Sequence, residues 1–229
     1  MPRAVKFKPR HSRHIEFVPH AVKNGRTYED YLAYTELNPH IPIVELDTVI
    51  GRIGGKVIMT VHFVSCDFMF GLLLENKTAA EAASKITDLK EQMNSCGFNF
   101  GEIFPLLLTD NGGEFSCASA FECNINGERD TRLFFCNPNA SYEKPHIEKN
   151  HTLFRDIVPK GTSFDNFSQD TVNLIFSHVN SVKRRQFNGK SAYEMFAFSY
   201  SEAIASCFGV SCIPAEQVVQ SPVLIKNLL

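Results

Sequence analysis

Three carboxylates stand where polynucleotide chemistry is usually placed. Asp47 interrupts the apolar stretch IVELDTVIG, Asp110 closes the apolar run FPLLLTD directly before Asn111-Gly112-Gly113, and Glu148 follows Pro145 at the start of a helical pattern. An ionised carboxylate inside a strand is costly unless something compensates its lost hydration. Three such groups on neighbouring elements would make an oxygen-rich site suited to Mg2+ or Mn2+ rather than zinc. Two divalent ions could then steady the attacking and leaving oxygens of a phosphoryl displacement. The glycines after Asp110 would let a phosphate backbone come close. Each acid also has an ordinary reading: a hydrogen-bonded strand residue, a turn at Asp-Asn-Gly, and a Glu complementing a helix dipole. Glu45 lies two residues before Asp47 and so shares its sheet face. It reads equally as a fourth ligand, as an acid supporting the ligands, or as a solvated residue. His146 and His151 flank Glu148 and could position substrate or handle protons. Five apart, they do not share one helical face, so at least one reads as ordinary surface.

The elements that must position these groups follow from periodicity. Residues 1–40 are basic, rich in Pro and His and poorly periodic, and read as an arm or linker with one short helix near Thr27–Leu37. Residues 43–50, 56–65 and 68–75 read as three strands with short turns, hence an antiparallel meander. The period then changes: Ala79, Ala82, Ala83, Ile86, Leu89 and Met93 recur at helical spacing, with Thr78 and Glu81 as a capping box and Gly97 as the stop. Residues 104–110 fit a buried parallel strand reached by that helical crossover, and 131–137 fit another. Helices are expected from Pro145 to about Val158, from Ser168 to about Val182, and from Ser191, with Glu194 as capping partner, toward Ile204. The tail from Phe208 onward reads as an extended strap. The order predicts an α/β fold with a mixed sheet, antiparallel at first and parallel after the crossover.

Composition narrows the function classes. The 229 residues are 44% hydrophobic and 21% charged, enough for a real core. The formal net charge of −2 does not by itself indicate nucleic acid. Its distribution says more, because Arg3, Lys6, Lys8, Arg10, Arg13, Lys23 and Arg26 precede residue 28 against the single acid Glu16. Such an arm is either a polyanion-binding footprint or a solvated terminus. Seven cysteines, an odd number without a Cys-x-x-Cys pair, fit reduced thiols rather than a disulfide framework or a zinc ribbon. No secretory signal and no apolar run of membrane-spanning length is visible, so a cytoplasmic protein is expected.

Taken in order, VELDTVIG, LTDNGGEF and HIEKNHTLFRDIVPKGTSF resemble the DDE integrase and transposase superfamily, and more narrowly the catalytic domain of bacterial insertion-sequence transposases. Glu148 follows Asp110 by 38 positions, near the family's usual separation, and Pro159-Lys160-Gly161-Thr162 match its PKGT motif. The stretch HVNSVKRRQFNGKSAYEMF (178–196) is similar to a later family segment, so the resemblance runs from about Ile43 to Phe196. It implies a ribonuclease-H-like fold, a five-stranded mixed sheet flanked by helices. It also implies Asp47, Asp110 and Glu148 as catalytic, metal-binding acids for two Mg2+ or Mn2+ ions. Asn111 and Gly112 match the loop after the second acid, and with Lys160, Arg184 and Arg185 they are the implied DNA contacts. DNA, as element ends and target, is the implied partner, with a homo-oligomer in the active complex, no membrane, and a bacterial, nucleoid-associated location.

The expected division is an arm over 1–40, an integrase-type core over 41–205 and a tail over 206–229. The sequence departs from the family at Asn150-His151, and no room exists before Ile43 for the two-helix DNA reader that usually precedes this core. Three readings therefore stay open: a transposase performing strand cleavage and transfer, a truncated remnant that binds DNA or a partner transposase, and a nuclease for RNA–DNA hybrids or junctions. The PKGT block argues against the last.

Overall fold

The computed structural model of the chain describes residues 17–138 and 140–226. Arg3, Lys6, Lys8, Arg10 and Arg13 of the expected basic arm lie outside the described residues. The chain forms α1 (His20–Lys23), α2 (Tyr28–Leu37), β1 (Ile43–Ile50), β2 (Val57–Phe63), β3 (Phe68–Leu74), α3 (Ala79–Ser95), α4 (Phe100–Ile103), β4 (Leu106–Thr109) and α5 (Ala118–Glu122). It continues through β5 (Arg132–Phe135), α6 (Pro145–Ile157), α7 (Gln169–Ser181), α8 (Ala192–Ser199), α9 (Glu202–Cys207) and α10 (Val223–Lys226).

One five-stranded sheet in the order β3-β2-β1-β4-β5 carries the site. β1 pairs antiparallel with β2, and β2 with β3, through two short turns; β4 runs parallel to β1, and β5 parallel to β4. This is the mixed sheet that the element order predicts. The second turn is tight enough to put Asp67 at a positive φ of 55°. The parallel step needs a crossover, and α3 provides it. The Thr78 side chain caps α3 through Glu81 N, but the Glu81 carboxylate accepts from Glu75 N, so the expected capping box is only half formed. The box at Ser191 and Glu194 is complete.

Side-chain alternation sorts the helices onto two faces. Phe63, Phe68 and Phe70 point to one face, where they stack with Phe196 of α8, with Phe104, and with Phe208 just after α9. The other face carries α2, α6 and α7. Gly71 of β3 lies so close to α7 that a Cβ there would come within 2.4 Å of the Phe176 ring. The expected third late helix breaks into α8 and α9, because Ser201 turns extended and its side chain caps a new helix through Ile204 N.

Residues 17–40, expected as an arm or linker with one short helix, carry that helix as α2 and pack on the sheet. Tyr28, Tyr31 and Tyr34 of α2, spaced three apart, pack with Ile41 and Ile43 on Leu106, Leu108, Phe134 and Cys136. Val18 N donates to the Asn111 carbonyl at 3.2 Å, so the segment before α1 runs along the loop after β4. The tail is a strap across α6 and α7, held by Ser211 N to Ser177 Oγ, Ile213 N to Ser181 Oγ and Gln220 Nε2 to the Leu153 carbonyl.

Both sheet edges are occupied. Along β3, Asn180 of α7 accepts from Met69 N and donates to the Met69 carbonyl, while Gln169 accepts from Leu73 N and donates to the Gly71 carbonyl. Along β5, Leu133 N donates to Glu122 Oε1 and Phe135 N to the Arg26 carbonyl. Among the described residues no helix is long and apolar enough to cross a membrane.

Candidate active site

The parallel pairing of β1 with β4 ends one residue short of the first two acids. Glu45 aligns with Leu108 and Leu46 with Thr109, the last pair in register, and Asp47 and Asp110 follow next on their chains. Asp47, two residues after Glu45, shares the sheet face on which the start of α6 packs. Asp110 sits just past the C-terminal end of β4, where open α/β sheets place ligands. Its Oδ1 accepts from Gly112 N at 2.9 Å, which fixes the turn into the glycines.

Glu148 lies in the first turn of α6 and is exposed. Lys144 is the residue immediately before α6, and His151 lies three residues after Glu148. Both reach Asp47: Lys144 Nζ is 3.6 Å from its Oδ1 and His151 Nδ1 is 3.5 Å from its Oδ2. Lys144 also donates to the Leu46 carbonyl at 2.8 Å. Burial pushes the His151 imidazole down to about 4 against the pull of Asp47, so the ring is neutral at pH 7. Thr60, opposite Asp47 on β2, touches His151 Nε2 at 2.9 Å and donates to the Asp47 carbonyl at 3.2 Å. The exposed His146 takes no such part.

Among the described residues no three His, Cys, Asp or Glu side chains gather closely enough to hold a metal ion. Asp47, Asp110 and Glu148 thus stand on adjacent elements without converging. The donor set nonetheless fits a hard divalent cation, since it consists of carboxylates, and Asp47 already faces a positive charge in Lys144.

A buried polar network holds α6 in place. Glu45, 2% exposed, accepts from Ile147 N at 2.7 Å at the helix start, where a carboxylate complements the free amides and the dipole. Glu45 is thus not solvated, and its carboxylate meets the start of the helix that carries Glu148. His62 lies between Glu45 and Asp67, 3.5 Å from each. One turn along α6, Asn150 contacts His62 Nε2 at 2.7 Å and accepts from Arg184 Nη1 at 2.7 Å. Arg184 also pairs with Asp67 at 3.0 Å, and Gln186 donates to the same carboxylate. Burial opposes ionisation of Asp67, but the His62 hydrogen bond and the Arg184 charge outweigh it and bring the carboxyl down to about 2.

The remaining sequence candidates separate into exposed and internal groups. Lys160 and Arg185 are exposed, Lys160 in the tight turn after α6 where Thr162 N bonds back to the Pro159 carbonyl. Gly51 of the first hairpin packs on this turn, for a Cβ there would meet the Thr162 carbonyl. Gly112 is half-buried beside Asp110. Two candidates turn their side chains inward. Arg184, with its side chain 10% exposed, spends its charge internally on Asp67 and Asn150. Asn111 is buried and its amide donates to the Cys136 carbonyl. Sequence reasoning missed Lys144, Thr60, His62 and Asn150, and also Glu114, a buried acid that accepts from Thr48 Oγ1 and pairs with Lys77. A signal existed for Thr60 and His62, polar residues at alternate positions of a buried strand.

No protein-family model matches the chain. Among curated proteins, a putative integrase (ORF3) of Spiroplasma virus SpV1-R8A2 B is 31% identical over 153 residues, covering 67% of this chain and 45% of that protein. A probable transposase for the insertion-like sequence element IS1161 of Streptococcus salivarius is 27% identical over 157 residues, covering 66% of this chain and 40% of that one. The transposase for insertion sequence element IS4351 of Bacteroides fragilis is 24% identical over 162 residues, covering 70% and 46%. The chain therefore spans less than half the length of these relatives. Among solved structures, the catalytic core domain of BIV integrase matches at a TM-score of 0.45 and 16% identity, over 69% of this chain and 94% of that one.

Proposed function

From the premise that this chain is a homologue of integrases and insertion-sequence transposases, we propose that it cuts and joins DNA strands in transposition as a metal-dependent DDE polynucleotidyl transferase. The observation that supports the proposal is the β1–β4 register, which ends at Leu46 and Thr109, immediately before Asp47 and Asp110, with Glu148 in the first turn of α6, whose start is held by Glu45 of β1. Asp47, Asp110 and Glu148 would hold two Mg2+ or Mn2+ ions. Such ions, when bound, would supply Lewis-acid activation of the attacking hydroxyl and charge stabilisation of the leaving oxygen. The protein's own residues prepare this chemistry. Glu45 and Asn150 fix the start of α6 from its buried side, which leaves Glu148 free on the other. Lys144 screens the charge of Asp47 until a substrate complex forms. Gly112 lets the backbone after Asp110 lie against the Glu114 carboxylate, which a Cβ there would strike. Lys160 and Arg185 supply exposed positive charge for the DNA backbone, and the active complex on two element ends is at least a dimer.

The test is strand cleavage and joining of labelled DNA with Mg2+ or Mn2+, comparing the wild type with Glu148→Gln. Metal-dependent products that disappear in the variant support the proposal. No products from either protein, with DNA binding retained, refute it in favour of a non-catalytic DNA-binding relative.

A further inference from the structure

We propose that Glu114 is a positioning residue for Asp110: its carboxylate, held by Thr48 and Lys77, ties the loop after β4 to β1 just beyond the point where the two strands stop pairing. The inference rests on the reading of Asp47 and Asp110 as acids of the reaction.

The β1–β4 ladder ends at Leu46 and Thr109, and both acids lie past it. Thr48, the residue after Asp47, supplies a further tie, for its Oγ1 donates to Glu114 Oε1 at 2.7 Å across 66 positions of sequence. Two residues after Leu46, Thr48 shares that residue's sheet face, opposite to the face of Asp47. Glu114 therefore meets β1 from the side turned away from Asp47, and it acts on the site through the backbone that carries Asp110.

The carboxylate is a fixed anchor. Glu114 is 3% exposed, and a buried acid is costly unless paired. Lys77, next to the Thr78 cap of α3, meets the same Oε1 at 3.1 Å. The turn Gly113–Phe115 packs on α3, and Phe115 is fully buried with its ring edge-on to Phe121. From this anchor the path back to Asp110 is short and stiff. Phe115 N donates to the Gly112 carbonyl at 3.0 Å. The Gly112 backbone lies so close to the carboxylate that a Cβ would stand 2.4 Å from Oε2, and Gly112 N donates to Asp110 Oδ1 at 2.9 Å. A shift of Glu114 is thus passed to Asp110. A misplacement of about 1 Å at reacting groups costs on the order of 100-fold in rate, so loosening this tie should slow turnover without weakening DNA binding.

The test uses the full chain with Thr48→Val, which removes the hydroxyl and touches neither acid, and Thr48→Ser, which keeps it; Thr48→Ala replaces Thr48→Val should that variant not fold. Hydrogen exchange in chelator, read by mass spectrometry, should show protection lost over residues 110–116 in Thr48→Val and retained in Thr48→Ser. In strand cleavage below the melting range of each protein, kcat should fall about tenfold or more in Thr48→Val and recover in Thr48→Ser, with KM for DNA within about twofold. Glu114→Ala should resemble Thr48→Val, and the double variant should be no slower than the slower single one, because both break one contact. Wild-type exchange and kcat in Thr48→Val, equal loss in Thr48→Val and Thr48→Ser, or losses that add in the double variant overturn the inference. Asp110→Asn separates the two levels. If it is inert while Thr48→Val cleaves like the wild type, the reading of Asp110 stands and only the role of Glu114 falls. If Asp110→Asn cleaves like the wild type, the reading of Asp110 falls, and this inference with it.

Discussion

Replacing Lys144 by Met removes the one cationic nitrogen on Oδ1 of Asp47 while keeping a side chain of similar length. Lys144 is nearly buried, its side chain 6% exposed, and Asp47 retains 25% of its side-chain surface. Coulomb's law at an effective dielectric constant of about 20 gives roughly 4–5 kcal/mol for unit charges at this separation. Against it stands the desolvation of the ammonium, which costs several kcal/mol and vanishes in the variant. The charge-assisted hydrogen bond to the Leu46 carbonyl is also lost, worth about 1.5–3 kcal/mol. The two electrostatic quantities largely offset, and a net destabilisation of about 1–3 kcal/mol without metal is expected. In a chain of this size that lowers Tm by roughly 2–10 °C. Metal reverses the order: with no ammonium at Asp47, Mg2+ should stabilise the variant more than it stabilises the wild type. The assay is thermal unfolding of both proteins in chelator and across a Mg2+ titration. Equal melting in chelator, or a smaller Mg2+-induced rise in the variant, would refute the assignment of Lys144 as the resident counter-charge.

Three further outcomes are expected. Because His151 has a folded pKa of about 4 against an ordinary 6.5, the unfolded chain takes up its proton first as pH falls. Its contribution is complete above about pH 6.5 and is lost toward pH 4, by up to roughly 3 kcal/mol; in chelator, His151→Gln should flatten the stability profile in that window, and an unchanged profile contradicts a buried neutral ring. Asn180→Leu strands the Met69 amide and carbonyl at a fully buried position, so a loss of about 2–5 kcal/mol is expected in denaturant melts, and a change below 1 kcal/mol would show that another group takes over. Asp110→Asn should abolish metal-dependent strand cleavage while circular dichroism stays that of the wild type, and near-normal cleavage would remove Asp110 from the site.

Much of the scaffold was legible because it depends on local pattern. The alternation in residues 43–50, the unbroken apolar runs of β2 and β3, and the helical recurrence from Ala79 to Met93 each fix an element without reference to the rest. The elements that carry Asp47, Asp110 and Glu148 were legible in the same way, while the role proposed for these acids rests on the family resemblance. What surrounds them was not. Lys144 meets Leu46 across 98 positions and Arg184 meets Asp67 across 117, contacts that no local window contains. Arg184 looked like a DNA contact because a cation beside another cation reads as a basic patch; the buried Asp67 gives it an internal partner instead. The docking of α2 was hidden for a different reason. Its tyrosines carry hydroxyls and lie among charged residues, so their spacing of three was the one sign of a half-buried face.

The sealed margins of the sheet bear on how copies of this chain can associate. A bare strand edge invites a second strand, from the same protein or another, and a pair of sheets can fuse into one. Here the outward amide and carbonyl of Met69, the Gly71 carbonyl and the Leu73 amide are already satisfied by two side chains of α7, and the Leu133 and Phe135 amides of β5 by Glu122 and the Arg26 carbonyl. At the β3 margin, recruiting another strand would first require peeling α7 away. A second copy of the chain is therefore steered toward helical and loop surfaces, whose side chains can be exchanged one at a time, and the register of β1 against β4 is insulated from whatever partner arrives.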